Sequence, residues 1–328
     1  MNETDVKKKI KIILNYFNNE RYVDAISRSK KILKSALQYE AFLLNIIGLS
    51  YQRLKNNELA KSYFLKIIDK YPGHLQSKLN YTIILKSEKK IVEAEQLLQK
   101  IIEQEPKYIQ AINNLANLKK DKGDFEGASE LYKKALGINS DVPIIHFNLA
   151  LCYANLRKKE EALLHANKAL ILNPALTNAD KLISDLTNYK TDKKNHVENM
   201  EKKLNSNILS EKQKIILLYS LGKAYEDKGI YEKSFNFYKN ANLKARLDIN
   251  YNFNDEINFF QLIKNIFNEK KNYQSLATTD SNLKKKIIFI CGMPRSGTTL
   301  LEQIVSSHKD VTALGETDYL SQIIEKKF

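Results

Sequence analysis

Only two cysteines occur in this sequence, Cys152 and Cys291, one in an apolar helical stretch and one in a short apolar run. Thiols so placed build no disulfide framework, and a reducing compartment is the expected setting. Histidines are few and scattered (His74, His146, His165, His196, His308), with no cysteine or carboxylate at ligand spacing. That argues against a metal site. Long hydrophobic runs are also missing, so no window reads as a membrane span. The first residues, MNETDVKKKIKIILNYFNNE, place acidic residues ahead of the lysines and interrupt their apolar stretch with Lys11 and Asn15, unlike a signal peptide. The expectation is a cytoplasmic protein with neither metal nor anchor.

What is present is mostly lysine, asparagine and isoleucine. The 53 basic and 38 acidic residues give a formal charge of +15. A basic field concentrates anions, yet the lysines are spread along the whole chain and fit solvated helix faces better than a binding patch. Neither nucleic acid nor membrane is therefore expected as a partner. With 43% apolar and 28% charged residues over 328 positions, the chain is an ordinary globular one with room for two or three domains.

A period governs the first two thirds. Ala60, Ala94, Ala128 and Ala162 recur every 34 residues, and Pro72, Pro106 and Pro174 lie on the same grid with Ser140 in the remaining place. Around them the clearest unit adds Leu44, Ile47, Gly48, Tyr51 and Phe64, and another adds Leu149, Ala150, Tyr153 and Ala169. Small residues at fixed places let two antiparallel helices approach, larger apolar ones fill the space to the next hairpin, and proline ends the second helix. This is the tetratricopeptide period. A degenerate unit precedes it, with Phe17, Tyr22 and Ala25, giving five consecutive repeats over 6–176. Residues 177–214 keep helical spacing but lose the signature, and read as an irregular hairpin. A sixth, detached unit spans 215–248 (Leu218, Leu221, Gly222, Tyr225, Gly229, Tyr231, Tyr238, Ala241), with Ser234 in the small-residue place. Residues 249–283 form a helical connector, and 284–328 begin another domain. The fold class expected is mainly α: an α-solenoid followed by the first strand, loop and helix of an incomplete α/β, P-loop-like domain.

Resemblance to tetratricopeptide proteins implies a right-handed solenoid whose concave wall is made by first helices. On that wall Gln110, Asn113, Asn117 and Lys120 form a polar set able to hydrogen-bond an extended backbone or a carboxylate of a protein partner. The same residues also suit a merely solvated face. The next repeat presents Phe147 and Leu151 instead, able to meet a partner or the following domain.

The chemistry lies in IIFICGMPRSGTTLL, residues 287–301: an apolar strand, a turn on Gly292 and Gly297, and the start of an amphipathic helix. Strand, loop and helix N-terminus together hold phosphates, because unpaired N–H groups and the positive helix end converge on the anion. The spacing is that of G-x-x-x-x-G-K-[ST], except that Thr298 replaces the lysine that triphosphate chemistry needs. An ATPase or kinase is thereby disfavoured, and tight magnesium-dependent ATP binding would be needed to revive it. A backbone cradle with hydroxyls and one cation, Arg295, suits a smaller anion held without metal.

The run GMPRSGTTLLEQI resembles the 5′-phosphosulfate loop of sulfotransferases that carry tetratricopeptide repeats, and is similar to that of protein-tyrosine sulfotransferases. The resemblance implies 3′-phosphoadenosine 5′-phosphosulfate (PAPS) as donor, with Pro294, Arg295, Ser296, Gly297, Thr298 and Thr299 binding it. By the same likeness Arg295 stabilises charge on the leaving phosphate and Glu316 takes the acceptor hydroxyl proton. On its own terms Glu316 could equally cap a helix from Thr317. His308 matches a structural histidine of the family, and Lys309 departs from its usual proline. Leu300, Leu301, Ile304 and Val305 make one helical stripe expected to pack on a sheet, with Glu302 and Gln303 facing away. The family's 3′-phosphate site, an Arg and a Ser on later elements, has no sequence here to supply it, so the chain is expected to be C-terminally truncated and inactive by itself. The acceptor implied is a hydroxyl of a protein, a peptide or a sugar, with the repeats binding acceptor or partner. The competing reading is a repeat scaffold with a vestigial catalytic segment, favoured if partner binding survives removal of 284–328.

Overall fold

The computed structural model describes residues 3–191, 195–249, 252–269, 288–290, 292 and 296–315, and among them the regular structure is helical, without strands. Two compact units divide at residue 250 and are described separately. In the first, helices pair as hairpins: α1 (Glu3–Asn18) with α2 (Tyr22–Leu33), α3 (Glu40–Arg53) with α4 (Asn57–Lys70), α5 (Leu75–Ser87) with α6 (Ile91–Gln104), α7 (Ile109–Asp121) with α8 (Phe125–Ile138), and α9 (Pro143–Asn155) with α10 (Lys159–Leu172). Then follow α11 (Thr177–Leu186), α12 (His196–Leu204), and a last hairpin of α13 (Glu211–Asp227) and α14 (Tyr231–Asp248). The second unit holds α15 (Phe253–Glu269) and α16 (Thr298–Ser306).

Local chemistry sets the boundaries. Asn56 and Asp124 accept from the backbone N–H groups of Leu59 and Gly127, Pro143 opens α9, and Ser210 forms a reciprocal capping box with Gln213. Each cap satisfies a donor that the helix leaves orphaned. Turns inside the hairpins repeat one device. Glu20, Lys55, Lys89 and Arg157 take φ between 60° and 62°, and Gly123 and Gly229 hold the same left-handed turn place. An L-residue there pays for its Cβ. Replacing Lys55, Lys89 or Arg157 singly with glycine is therefore expected to raise stability by about 0.5–1 kcal/mol, less the extra freedom glycine gives the unfolded chain. Denaturant midpoints of the three variants check this.

The alanine grid is the packing seam. Ala60, Ala94, Ala128 and Ala162 are all fully buried, beside Phe64 and Tyr132, which are fully buried too. Cys152 lies in the same core as Ala128, Tyr132 and Ala162, and burial pushes its thiol up to about 11. With so little thiolate at pH 8, Cys152 is expected to escape iodoacetamide in the folded chain and to react after urea. Peptide mapping of the alkylated sites reads both states.

Beyond the fifth hairpin the pattern changes. α12 packs on α13 rather than along α11, and reaches α11 through polar groups. The fully buried Asp180 receives both oxygens' worth of contact from Lys203 Nζ, at 2.5 Å each, and lies 3.2 Å from His196 Nε2, while Tyr189 Oη meets His196 Nδ1 at 2.6 Å. Below it, Tyr189, Val197, Met200, Leu217, Leu221 and Tyr225 form a separate core.

Candidate functional site

The loop of the second unit is shaped by two glycines. Gly297 has φ 90° and ψ 16° and stands as N-cap of α16 without any side-chain cap. The first intrahelical bond closes from Leu301 N–H to Gly297 O, at 3.0 Å, so the N–H groups of Thr298, Thr299 and Leu300 have no helical acceptor. They carry the positive end of the helix dipole. Gly292 brings the incoming chain against this helix end: a Cβ there would sit 2.4 Å from Ser296 Oγ and 2.8 Å from Thr298 Cγ2. A side chain at 292 would therefore force the Ser296 hydroxyl and the Thr298 methyl to shift. Ser296 and Thr299 are exposed and Thr298 is half-buried, beside the free amides of the helix end. Among the expected donor-binding residues, the structure brings Ser296, Gly297, Thr298 and Thr299 together. Pro294, Arg295 and Glu316 lie outside the described residues.

Three features of this unit depart from what its sequence suggests. Residues 288–290 form no strand, because a strand exists by its ladder and no described segment pairs with them. Leu300, Leu301 and Ile304 are 61%, 49% and 60% exposed rather than packed on a sheet, for the same reason. Glu302 does not face away. Its Oε1 accepts from the N–H of Gly315 at 2.8 Å, fastening the chain just before Glu316 to the loop helix. His308 Nδ1 accepts from Asp310 N–H at 3.3 Å.

On the first-helix wall of the repeats, the polar set proves partly committed. Asn117 Oδ1 accepts from Tyr132 Oη at 2.6 Å and from Asn148 Nδ2 at 3.3 Å, and Lys120 Nζ donates to Asn148 Oδ1 at 3.3 Å. Gln110 stays exposed. Asn113 Oδ1 is buried without a hydrogen-bond partner among the described residues, an acceptor costly to leave unmet. A second amide relay, unnoticed in the sequence because it crosses units, runs from Asn45 through Asn80 and Gln76 to Tyr108. Phe147 and Leu151 pack against Ala150, Ala166, Leu182 and Ile183, and so belong largely to the core between units.

Among the described residues no group of three His, Cys, Asp or Glu could hold a metal, and no helix is long and apolar enough to cross a membrane.

Comparison with known proteins agrees with both units. Tetratricopeptide-repeat models match residues 46–74, 116–156 and 143–176, and the sulfotransferase-family model matches 288–328. An uncharacterized protein of Aquifex aeolicus is 25% identical over 84% of this chain, which spans 32% of that protein. Uncharacterized protein y4yS of Sinorhizobium fredii is 30% identical over 29% of the chain and 52% of its own length. This chain thus spans about a third and about half of these curated relatives. In fold it is similar to PilF of Pseudomonas aeruginosa (17% identity, TM-score 0.52, 60% of this chain and 89% of that one). A tetratricopeptide repeat protein of Parabacteroides merdae is likewise similar (15% identity, TM-score 0.51, 78% and 97%). Such repeats are protein-interaction scaffolds, and by these matches the chain is a tetratricopeptide-repeat solenoid followed by a segment of sulfotransferase-family sequence.

Proposed function

We propose that the loop from Gly292 to Thr299 holds the 5′-phosphosulfate end of PAPS, and that the protein serves sulfuryl transfer from it to a hydroxyl acceptor, protein tyrosine or sugar. The observation that carries this reading is the closure of the loop on Gly292 beside an uncapped helix end, with threonine at 298 where triphosphate chemistry wants lysine. Ser296, Thr298 and Thr299 would donate to the anion together with the α16 amides, and Arg295 would neutralise charge gathering on the leaving phosphate. The acceptor oxygen forms the new S–O bond, the bond from sulfur to the 5′-phosphate oxygen breaks, and Glu316 takes the acceptor's proton. The Glu302 bond fastens Gly315, the residue before Glu316 in sequence, to α16. No metal is asked for.

The repeats would bring a partner or acceptor protein. The exposed Gln110 supports a main-chain-binding wall there. Equilibrium dialysis of the full chain with sulfur-labelled PAPS tests the donor assignment. Retention of label is expected, unchanged by EDTA and weakened about tenfold or more by Arg295→Ala. Label that is not retained, or is retained only with magnesium, overturns it.

A further inference from the structure

The α9–α10 hairpin holds a pair of histidines where the other repeats place none. His146 and His165 stand where the preceding hairpin, 34 residues earlier, has Ile112 and Leu131, and where α3 and α4 have Leu44 and Tyr63. His146 is 7% exposed and His165 half-buried. Their Nδ1 atoms lie 2.9 Å apart, and His146 Nε2 lies 2.9 Å from the carbonyl oxygen of Ser140, the residue in the proline place of the repeat grid. A carbonyl only accepts, so His146 Nε2 carries a proton, and its Nδ1 offers the lone pair to which His165 Nδ1–H donates. One proton thus joins α10 to α9, and another joins α9 to the connector before it. A further proton can enter at His165 Nε2, or at His146 Nδ1, where it would oppose the N–H of His165. The nearest fixed charge is Lys133 of α8, its Nζ 5.5 Å from the Tyr153 ring that stacks on His165 at 5.6 Å. Other charges lie apart or are engaged. Asp141 is exposed and accepts from Ser140 Oγ, and Glu161 and Lys168, one turn either side of His165, are exposed and opposite in sign. On α11 Asp180 is held by Lys203, and on α7 Lys120 donates to Asn148. Burial, then His146 and the Lys133 ammonium, hold the His165 imidazole below the ordinary histidine range. The unfolded chain therefore accepts this proton first, so the hairpin keeps its full stability above about pH 6.5 and loses it as pH falls from there through the lowered value.

We propose that His146 and His165 form a proton-operated latch: neutral, they tie the α8–α9 connector, α9 and α10 together, and at about pH 5 the latch opens and loosens this hairpin while the other repeats stay folded. The effect reaches the first-helix wall. α9 also carries Asn148, which engages Asn117 and Lys120 of α7, so a loosened α9 uncouples the wall between these two units. A solenoid permits such local opening because each unit contacts only its neighbours. The latch does not depend on the sulfuryl-transfer reading.

The test is hydrogen exchange of the full chain at about pH 7.5 and about pH 5, corrected for intrinsic rates and read peptide by peptide. Peptides from α9 and α10 are expected to lose at least about tenfold in protection at the lower pH, and those from α3 and α4 to keep theirs within about twofold. His165→Gln, whose amide still donates to His146 but takes no proton, should abolish most of that loss. So should His146→Ile combined with His165→Leu, which installs the residues of the preceding hairpin. Helical signal and thermal midpoint at neutral pH certify the fold of each variant, and should one misfold the other decides. Protection of α9 and α10 that falls no further than that of α3 and α4, or that falls equally in the folded variants and the parent chain, overturns the proposal. So does a loss of protection in all helices together, which would mark acid unfolding of the whole array without a local latch.

Discussion

A Gly292→Val chain is expected to lose donor binding at the loop almost completely while its helical signal and thermal midpoint stay unchanged. The reason is steric and local. Even the first carbon of a side chain would lie 2.4 Å from Ser296 Oγ and 2.8 Å from Thr298 Cγ2, so those two side chains must shift and the larger valine crowds the helix end further. Displacing the hydroxyls of Ser296 and Thr298 and filling the space before the helix amides takes several charge-assisted bonds from the anion at once. A loss of about two to three orders of magnitude in donor affinity follows from forfeiting about 3–4 kcal/mol. The solenoid is a separate compact unit. Labelled-donor dialysis and circular dichroism on the same preparation measure both halves of the expectation. A Gly292→Val chain that bound donor normally would show that the loop's closure is irrelevant to anion binding.

The second large effect is on stability. Lys203→Met should destabilise the α11–α13 region by about 3 kcal/mol, because it strips the buried Asp180 of its ammonium partner. Asp180 is fully buried and Lys203 only 14% exposed, so water offers the carboxylate little in return. His196, 3.2 Å away, retains its contact with the carboxylate. Pairing the change with Asp180→Asn should restore most of the loss, since the double variant removes both charges and keeps a hydrogen-bonding side chain opposite His196. In a solenoid each unit depends on its neighbours, so the unfolding should begin in this segment. Hydrogen exchange of the amides in α11 to α13, beside urea midpoints of the single and double variants, reads both magnitude and place. A double variant no more stable than Lys203→Met would show that the pair does not act as a pair.

The solenoid was legible because its information is periodic. One alanine every 34 residues specifies a close helix crossing, and all four grid alanines are indeed fully buried. The loop was legible for a different reason: Gly297 holds a left-handed φ at the helix start, and Gly292 stands where a Cβ would press on the Ser296 and Thr298 side chains. What the sequence did not disclose are pairings between positions with no period. Asp180, Tyr189, His196 and Lys203 come together in the stretch where the repeat signature fails. Asn117 and Lys120 looked like free members of a binding wall, whereas Asn148 of the next unit engages both. A helical pattern tells which face a residue occupies, not which neighbour reaches it. The spacing of Leu300, Leu301 and Ile304 predicts a sheet-facing stripe, yet spacing alone supplies no sheet, and those side chains stand exposed.

The function turns on which anion the loop holds. Isothermal titration of the full chain with 3′-phosphoadenosine 5′-phosphate and, separately, with ATP and magnesium puts the two classes side by side. Heat from the bisphosphate is expected, unaltered by EDTA and removed by Gly292→Val, with ATP at least about tenfold weaker whether or not magnesium is present. Tighter, magnesium-dependent binding of ATP, or no heat from the bisphosphate, would contradict it.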